Sequence, residues 1–334
     1  MRFFRAVCFA VIFAAACQAA RGAEAAGIDT AAFEKKISAE LQGAGAKRAL
    51  YYIFIDGKCA AGRIFEFGGA EGEAALGQTF AFGESSAALI SLLALAMEEK
   101  GIVGTRRDAS DFFSALRDSR GKIRGANIEN MLAQSAGFPY LADKIPQDSS
   151  PEEFFDALAQ MQFAPAHPAG YEPSAASVAA AGYALAYAFK PSMRGLKKNF
   201  ALACRKFLFE PLGIEKPKFR HFDKWLFPAA CFCLNAEDIA KWLACETSCQ
   251  PPIASAAALD ERRGAGGAAH SGGWSAVKGN TAARGCFGSG NFTIVYRLRG
   301  SRAAVSVFSS GADRQKLKKS FARLVEFINN QTRQ

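Results

Sequence analysis

Histidine is scarce: the 334 residues hold only His167, His221 and His270. That leaves little for a histidine-built metal centre or a histidine-relayed nucleophile. His270 stands in the Gly-rich AGGAAHSGGW, where it is a distant candidate base. His167 and His221 read as surface or packing residues. Zinc spacing of cysteines is lacking as well. Cys231-Phe-Cys233 followed by Cys245-x-x-x-Cys249 offers no Cys-x-x-Cys chelate, so no metal and no other cofactor is expected. Long apolar runs are missing beyond the first twenty residues, which excludes a later membrane-spanning helix. Internal repeats, low-complexity tails and nucleic-acid motifs are absent too, so no nucleic-acid partner is expected.

The chain opens MRFFRAVCFAVIFAAACQAARGAEAAG. Arg2 and Arg5 precede an apolar stretch from Ala6 to Cys17 of about a dozen residues, where a bilayer span needs ~20. This is the pattern of a signal peptide over residues 1–22, cleaved after Gly22 or after Ala25. Phe13-Ala14-Ala15-Ala16-Cys17 also resembles a lipoprotein box, with Ala14 where leucine is usual, so anchoring through Cys17 stands beside plain secretion. Either way the expected location is secreted or periplasmic. Seven cysteines then remain: Cys59, Cys204, Cys231, Cys233, Cys245, Cys249 and Cys286. An odd number leaves at least one thiol without an intramolecular partner, and the expectation is a structural disulfide or buried thiols. Loss of Arg2, Arg5 and Arg21 takes the formal charge from +10 to +7. That excess reads as spread over many segments and biases the protein toward acidic partners such as anionic envelope polymers.

Phe33, Ile37 and Leu41 recur every four residues and predict a helix over 31–42. Two β-rich runs flank Asp56-Gly57, the two-residue signal of a hairpin with a type I′ turn. Ser86 to Lys100 is apolar on nearly every side and predicts a buried helix, ended by Gly101. From Thr105 to about Phe232 the chain reads as helices and loops, with Ser150 capping SPEEFFDALAQM and a further helix over LNAEDIAKWLACE. GGWSAVKGN, NFTIVYRLRG and RAAVSVFSS return to strand composition, and Leu317, Phe321, Leu324 and Ile328 mark a closing helix. Strands at both ends and helices between them imply an α/β (α+β) fold: a mixed, mainly antiparallel sheet flanked by N- and C-terminal helices, with an all-α insertion. The sheet region is placed at 29–104 and 265–330 and the helical region at 105–264, as one domain.

The order of elements resembles a known family. A hairpin with Asp-Gly is followed by a Phe-Gly lead into a serine at a buried helix start, FAFGESSAALIS, and by Glu-Lys-Gly at that helix's end. Met131-Leu132-Ala133-Gln134-Ser135-Ala136-Gly137-Phe138-Pro139, Phe209-Glu210-Pro211-Leu212-Gly213-Ile214 and Asn235-Ala236-Glu237-Asp238-Ile239-Ala240 follow in sequence. Together they resemble the β-lactamase-related serine hydrolases, which include class C β-lactamases, DD-peptidases and esterases, over about Tyr51 to Ser310. The resemblance implies acyl transfer by a Ser-x-x-Lys serine, a Tyr-x-Asn proton handler, and a Lys-Thr-Gly or His-x-Gly strand that binds the substrate carboxylate and helps form the oxyanion hole.

Carried onto this chain, the motifs are degenerate. Ser85 is the candidate nucleophile, and the lysine position is then Ala88; one residue of slack before Gly101 also allows Glu84 in the serine's place. The Tyr-x-Asn segment is Pro173-Ser174-Ala175 or Ser174-Ala175-Ala176, leaving Tyr171 as the nearby phenol. Lys278, in Val277-Lys278-Gly279-Asn280, is the candidate carboxylate ligand or substitute base, and Gly279, Gly288, Ser289 and Gly290 are the candidate substrate-binding positions. Two functions follow from the resemblance. One is hydrolysis or transfer of an amide or ester acyl group on a cell-wall peptide, a β-lactam or a small acyl substrate, through Ser85 with Lys278 or Tyr171 compensating. The other is a catalytically inactive relative that binds or scaffolds in the envelope.

Overall fold

In the computed structural model, described for residues 29–67, 79–116, 126–138, 145–161, 174–215, 217–220, 224–263, 270–277, 280–287, 291–297 and 303–331, both ends of the chain build one sheet. The chain runs α1 (Thr30–Gly43), β1 (Arg48–Ile55), β2 (Lys58–Glu66) and β3 (Thr79–Ala81), then a 3-10 turn at Gly83–Ser85 and α2 (Ser86–Glu99). Next come α3 (Ile128–Leu132), α4 (Pro151–Ala159), α5 (Ala175–Phe189) and α6 (Leu196–Cys204), with a π turn at Arg205–Phe209. β4 (Lys218–Phe219), α7 (Phe227–Ala230), β5 (Phe232–Asn235), α8 (Ala236–Thr247) and α9 (Ala256–Arg262) complete the middle. β6 (His270–Ser271), β7 (Trp274–Val277), β8 (Asn280–Phe287), β9 (Asn291–Arg297), β10 (Ala303–Ser310) and α10 (Arg314–Gln331) close the chain.

The seven-stranded sheet has the order β2-β1-β10-β9-β8-β7-β6, and every pairing in it is antiparallel. β1 pairs with β10 from Arg48 opposite Ser310 to Ile55 opposite Ala303, which joins the two ends of the chain. The β1–β2 hairpin turns at Asp56 and Gly57 with φ of 49° and 77°, the two left-handed residues a type I′ turn requires. Strand alternation then sorts β1 between two cores. Ala49, Tyr51 and Ile53 face the terminal helices, packing with Phe33, Ile37 and Leu41 of α1 and Leu317 and Leu324 of α10. Leu50 and Phe54 face the larger core built around α2, α5 and α8.

Glu40 on α1 clamps α10 by accepting two hydrogen bonds from Arg323, 2.7 Å from Nε and 2.5 Å from Nη2. The Arg323 guanidinium, outweighing the cost of burial, holds the Glu40 carboxyl down at about 2, well below the usual carboxylate range. A carboxyl with a depressed pKa in the folded state stabilises at pH above its unfolded value and loses that contribution as pH falls through the folded one. The melting temperature is therefore expected to fall between about pH 4.5 and pH 2, and Arg323→Gln to flatten that part of the profile.

Two local expectations change. GGWSAVKGN is not one strand: its residues fall in β7 and at the start of β8, with a tight Gly272-Gly273 turn joining β6 to β7. Leu234 belongs to β5 rather than to a helix, and Asn235 is the true N-cap of α8, its side chain accepting from the Asp238 N–H at 2.8 Å. Phe232 to Leu234 are all buried, so a strand in a small second sheet, β3-β5-β4, serves them better than a solvent-facing helix turn. The six described cysteines are all free thiols, with Cys204, Cys231, Cys233 and Cys245 buried. Burial pushes the Cys245 thiol up to about 12, that of Cys233 to about 11 and those of Cys204 and Cys231 well above their usual value, so these four act as small apolar side chains.

Candidate active site

The start of α2 is fixed by the residues before it. Phe82 donates its N–H to Phe232 O at 2.9 Å, extending the β3–β5 ladder, and Gly83 then turns the chain with φ of 53°, a left-handed conformation. Ser85 follows on the 3-10 turn with no exposed surface. Its N–H and its hydroxyl both donate to Phe82 O, at 3.1 and 2.6 Å. Ser86 is also fully buried, and its hydroxyl has no hydrogen-bond partner among the described residues. The exposed side chain at this helix start is Glu84.

Ala88, the lysine position if Ser85 is the serine, is fully buried; Ala87, the same position if Glu84 takes the serine's place, is 1% exposed. Both lie under the β6–β7 turn. A Cβ on Gly273 would stand 2.5 Å from Ala88 N and 2.6 Å from Ala87 C, so the turn backbone rests directly on the helix. On the other side β8 and β9 run past Gly83–Ser85.

The segment aligned with Tyr-x-Asn is a helix cap. Ser174 accepts from the Ser177 N–H at 3.2 Å as N-cap of α5, and its own N–H donates to Gln134 Oε1 at 2.9 Å. Ser177 in turn donates to Met131 O at 2.8 Å, tying α5 to α3. His270 lies in β6, opposite Ser275 of β7. Tyr171, Lys278, Gly279, Gly288, Ser289 and Gly290, as well as His167 and His221, lie outside the described residues.

No protein-family model matches the chain, and no curated protein does. Solved structures do. A class C β-lactamase from Rhodobacter sphaeroides superposes with a TM-score of 0.66 at 12% identity, over 89% of this chain and 99% of that one. FmtA from Staphylococcus aureus gives 0.65 at 13% identity, over 87% and 88%, and the octameric penicillin-binding protein homologue from Pyrococcus abyssi gives 0.67 at 13%, over 85% and 74%. The chain has the β-lactamase-related fold. At these identities the likeness speaks for the fold and its element order, and the chemistry rests on this chain's own residues.

Behind α2, this β-lactamase-related fold carries a buried ionic cluster that its motifs do not announce. Glu246 of α8 is 1% exposed; it accepts from Arg262 Nη2 at 2.7 Å on both oxygens, from Arg263 Nη1 at 2.6 Å and from Trp242 Nε1 at 3.0 Å. Burial alone would raise its pKa, but the Arg262 and Arg263 charges outweigh that and hold it below the usual carboxylate range. Arg262 Nη1 also donates to Ala88 O at 2.8 Å and to Ser91 Oγ at 2.7 Å, and Ser91 donates to Gly272 O at 2.6 Å. Asp260 closes the cluster by accepting from Arg263 at 2.7 Å and pairing with Arg297 of β9 at 2.9 Å. One set of charges thus ties α2, α8, α9, the β6–β7 turn and β9 together beside the candidate site. Sequence reading missed it because its members are scattered between residues 88 and 297. The adjacent arginines in ERRG, within a largely apolar surrounding, were the available signal.

Proposed function

We propose that this protein is an exported, catalytically inactive β-lactamase-like module that binds or scaffolds in the cell envelope. The observation that carries the reading is the Ser85 hydroxyl: fully buried and donated to Phe82 O, it is presented to no substrate carbonyl. A serine attacks only when its hydroxyl reaches the carbonyl while a base takes its proton, and loss of one member of such a set costs orders of magnitude in rate. Alanine at both possible lysine positions, 87 and 88, agrees with this, as does the helix cap at Ser174 where a proton-handling tyrosine is expected. The signal-like N-terminus supports export, with Cys17 as the anchoring residue if the leader is processed as a lipoprotein's. The partner that suits the fold is a cell-wall peptide or small acyl compound held without turnover.

The test is covalent labelling. Incubation with a fluorophosphonate or a penicillin, followed by intact-mass measurement, is expected to give no adduct. Ser85→Ala is expected to leave any ester hydrolysis at its background value and to lower stability by about 1 kcal/mol, the worth of one hydrogen bond. An acyl or phosphonyl adduct on Ser85 would instead establish hydrolysis or transfer through that serine, with Lys278 or Tyr171 as the group to replace next.

A further inference from the structure

The positive charge falls mainly in two blocks. Residues 190–224 hold ten lysines and arginines against three acidic residues, a net +7, and residues 278–334 hold eleven against two, a net +9, while the segments before and between them are net acidic. The structure gathers part of this charge on one surface. α6 and its π turn bury Leu196, Phe200, Ala203, Phe207 and Leu208 and leave Lys198, Leu202, Arg205 and Lys206 exposed at helical spacing. Lys190 and Arg194 extend the exposed basic set at the approach to α6. Leu202 is 42% exposed, one of two large apolar side chains that stand out from the described surface. Lys206 lies over the Phe189 and Phe207 rings at 5.9 and 5.3 Å, and Arg205 pairs at 3.4 Å with Glu210, both of them well exposed.

We infer that this face docks on an anionic phospholipid surface. Basic side chains around a protruding leucine suit a bilayer, where lipid phosphates meet the charges and the acyl boundary receives the apolar group. A phosphate polymer would satisfy the lysines and arginines but offers Leu202 nothing. The long aliphatic stems of Lys198 and Lys206 add apolar area below their charged heads. No helix among the described residues is long and apolar enough to cross a membrane, so the association would be peripheral. The inference is independent of whether Ser85 is catalytic, because α6 contributes no residue to that site.

The test uses the chain from residue 23, which retains every described residue, with vesicles of phosphatidylcholine alone or mixed with phosphatidylglycerol. Co-sedimentation is expected with the mixed vesicles only, weakening as salt rises. Neutralising each exposed basic side chain is expected to lower partitioning about fivefold, so the triple variant Lys198→Gln, Arg205→Gln, Lys206→Gln loses roughly 100-fold. Leu202→Ser is expected to weaken vesicle binding about fivefold while leaving binding to soluble polyphosphate unchanged. A paired Lys316→Gln, Lys319→Gln variant on α10 serves as the control and is expected to bind like the parent. All these side chains are exposed, and unchanged melting temperatures would show that the variants fold. Equal binding to both vesicle types overturns the inference. So does a Leu202→Ser variant that binds vesicles like the parent, which would make the face a polyanion-polymer surface instead.

Discussion

Glu246→Gln is expected to destabilise the protein by about 3–5 kcal/mol, a large share of the stability of an ordinary domain. The substitution removes the only carboxylate among the described residues that pairs with Arg262 and leaves that guanidinium buried, still bonded to Ala88 O and Ser91 but without that counter-charge. Arg263 suffers less because Asp260 remains at 2.7 Å. The measurement is a denaturant titration, read as a shift of midpoint at constant slope. A double variant separates charge from packing: Glu246→Leu with Arg262→Met removes both charges and is expected to recover most of the loss, since apolar replacements of a buried pair are often neutral. If the single variant matches the parent within about 1 kcal/mol, the cluster does not hold the fold together. Acid acts in the same direction. Because Glu246 is held below its ordinary pKa when folded, its contribution is present above the ordinary carboxylate range and is lost as pH falls through the lowered value.

Gly273→Ala is expected to cost about 3 kcal/mol from two sources. A φ of 79° places an L side chain in the left-handed region, at roughly 1–2 kcal/mol, and the added Cβ meets backbone rather than a flexible chain end. With Ala88 N at 2.5 Å and Ala87 C at 2.6 Å, the β6–β7 turn must lift away from α2, and overpacking of that kind costs about 1–3 kcal/mol. The check is again equilibrium unfolding, together with hydrogen exchange at the amides of β7 and β8. Faster exchange confined to these strands would locate the strain at the turn; unchanged stability would mean that the turn does not rest on the helix as described.

The architecture was legible because it depends on local pattern. The stripe of Phe33, Ile37 and Leu41, the Asp56-Gly57 turn and the unbroken apolar run after Ser86 each specify an element without help from the rest of the chain. Their order sufficed to suggest the β-lactamase-related fold, which the superpositions bear out. Errors fell where burial overrides propensity. Leu234 reads as the first residue of a helix over LNAEDIAKWLACE, yet β3 and β4 supply strand partners for Phe232 to Leu234 that no local window contains.

The candidate site divides along the same line. The sequence alone determined that a serine-bearing segment opens a buried helix and that neither register puts a lysine one turn later, since Ala87 and Ala88 need only be counted. Only the tertiary structure decided what the serine does. The turn after Gly83 sends Glu84 outward and Ser85 inward onto Phe82 O, while residues from α8, α9, β9 and the β6–β7 turn close around the helix behind it. Side-chain direction at a helix start depends on the backbone turn before it and on what packs against it. Here the packing elements include β8 and β9, about two hundred residues along the chain, which spacing near Ser85 does not encode.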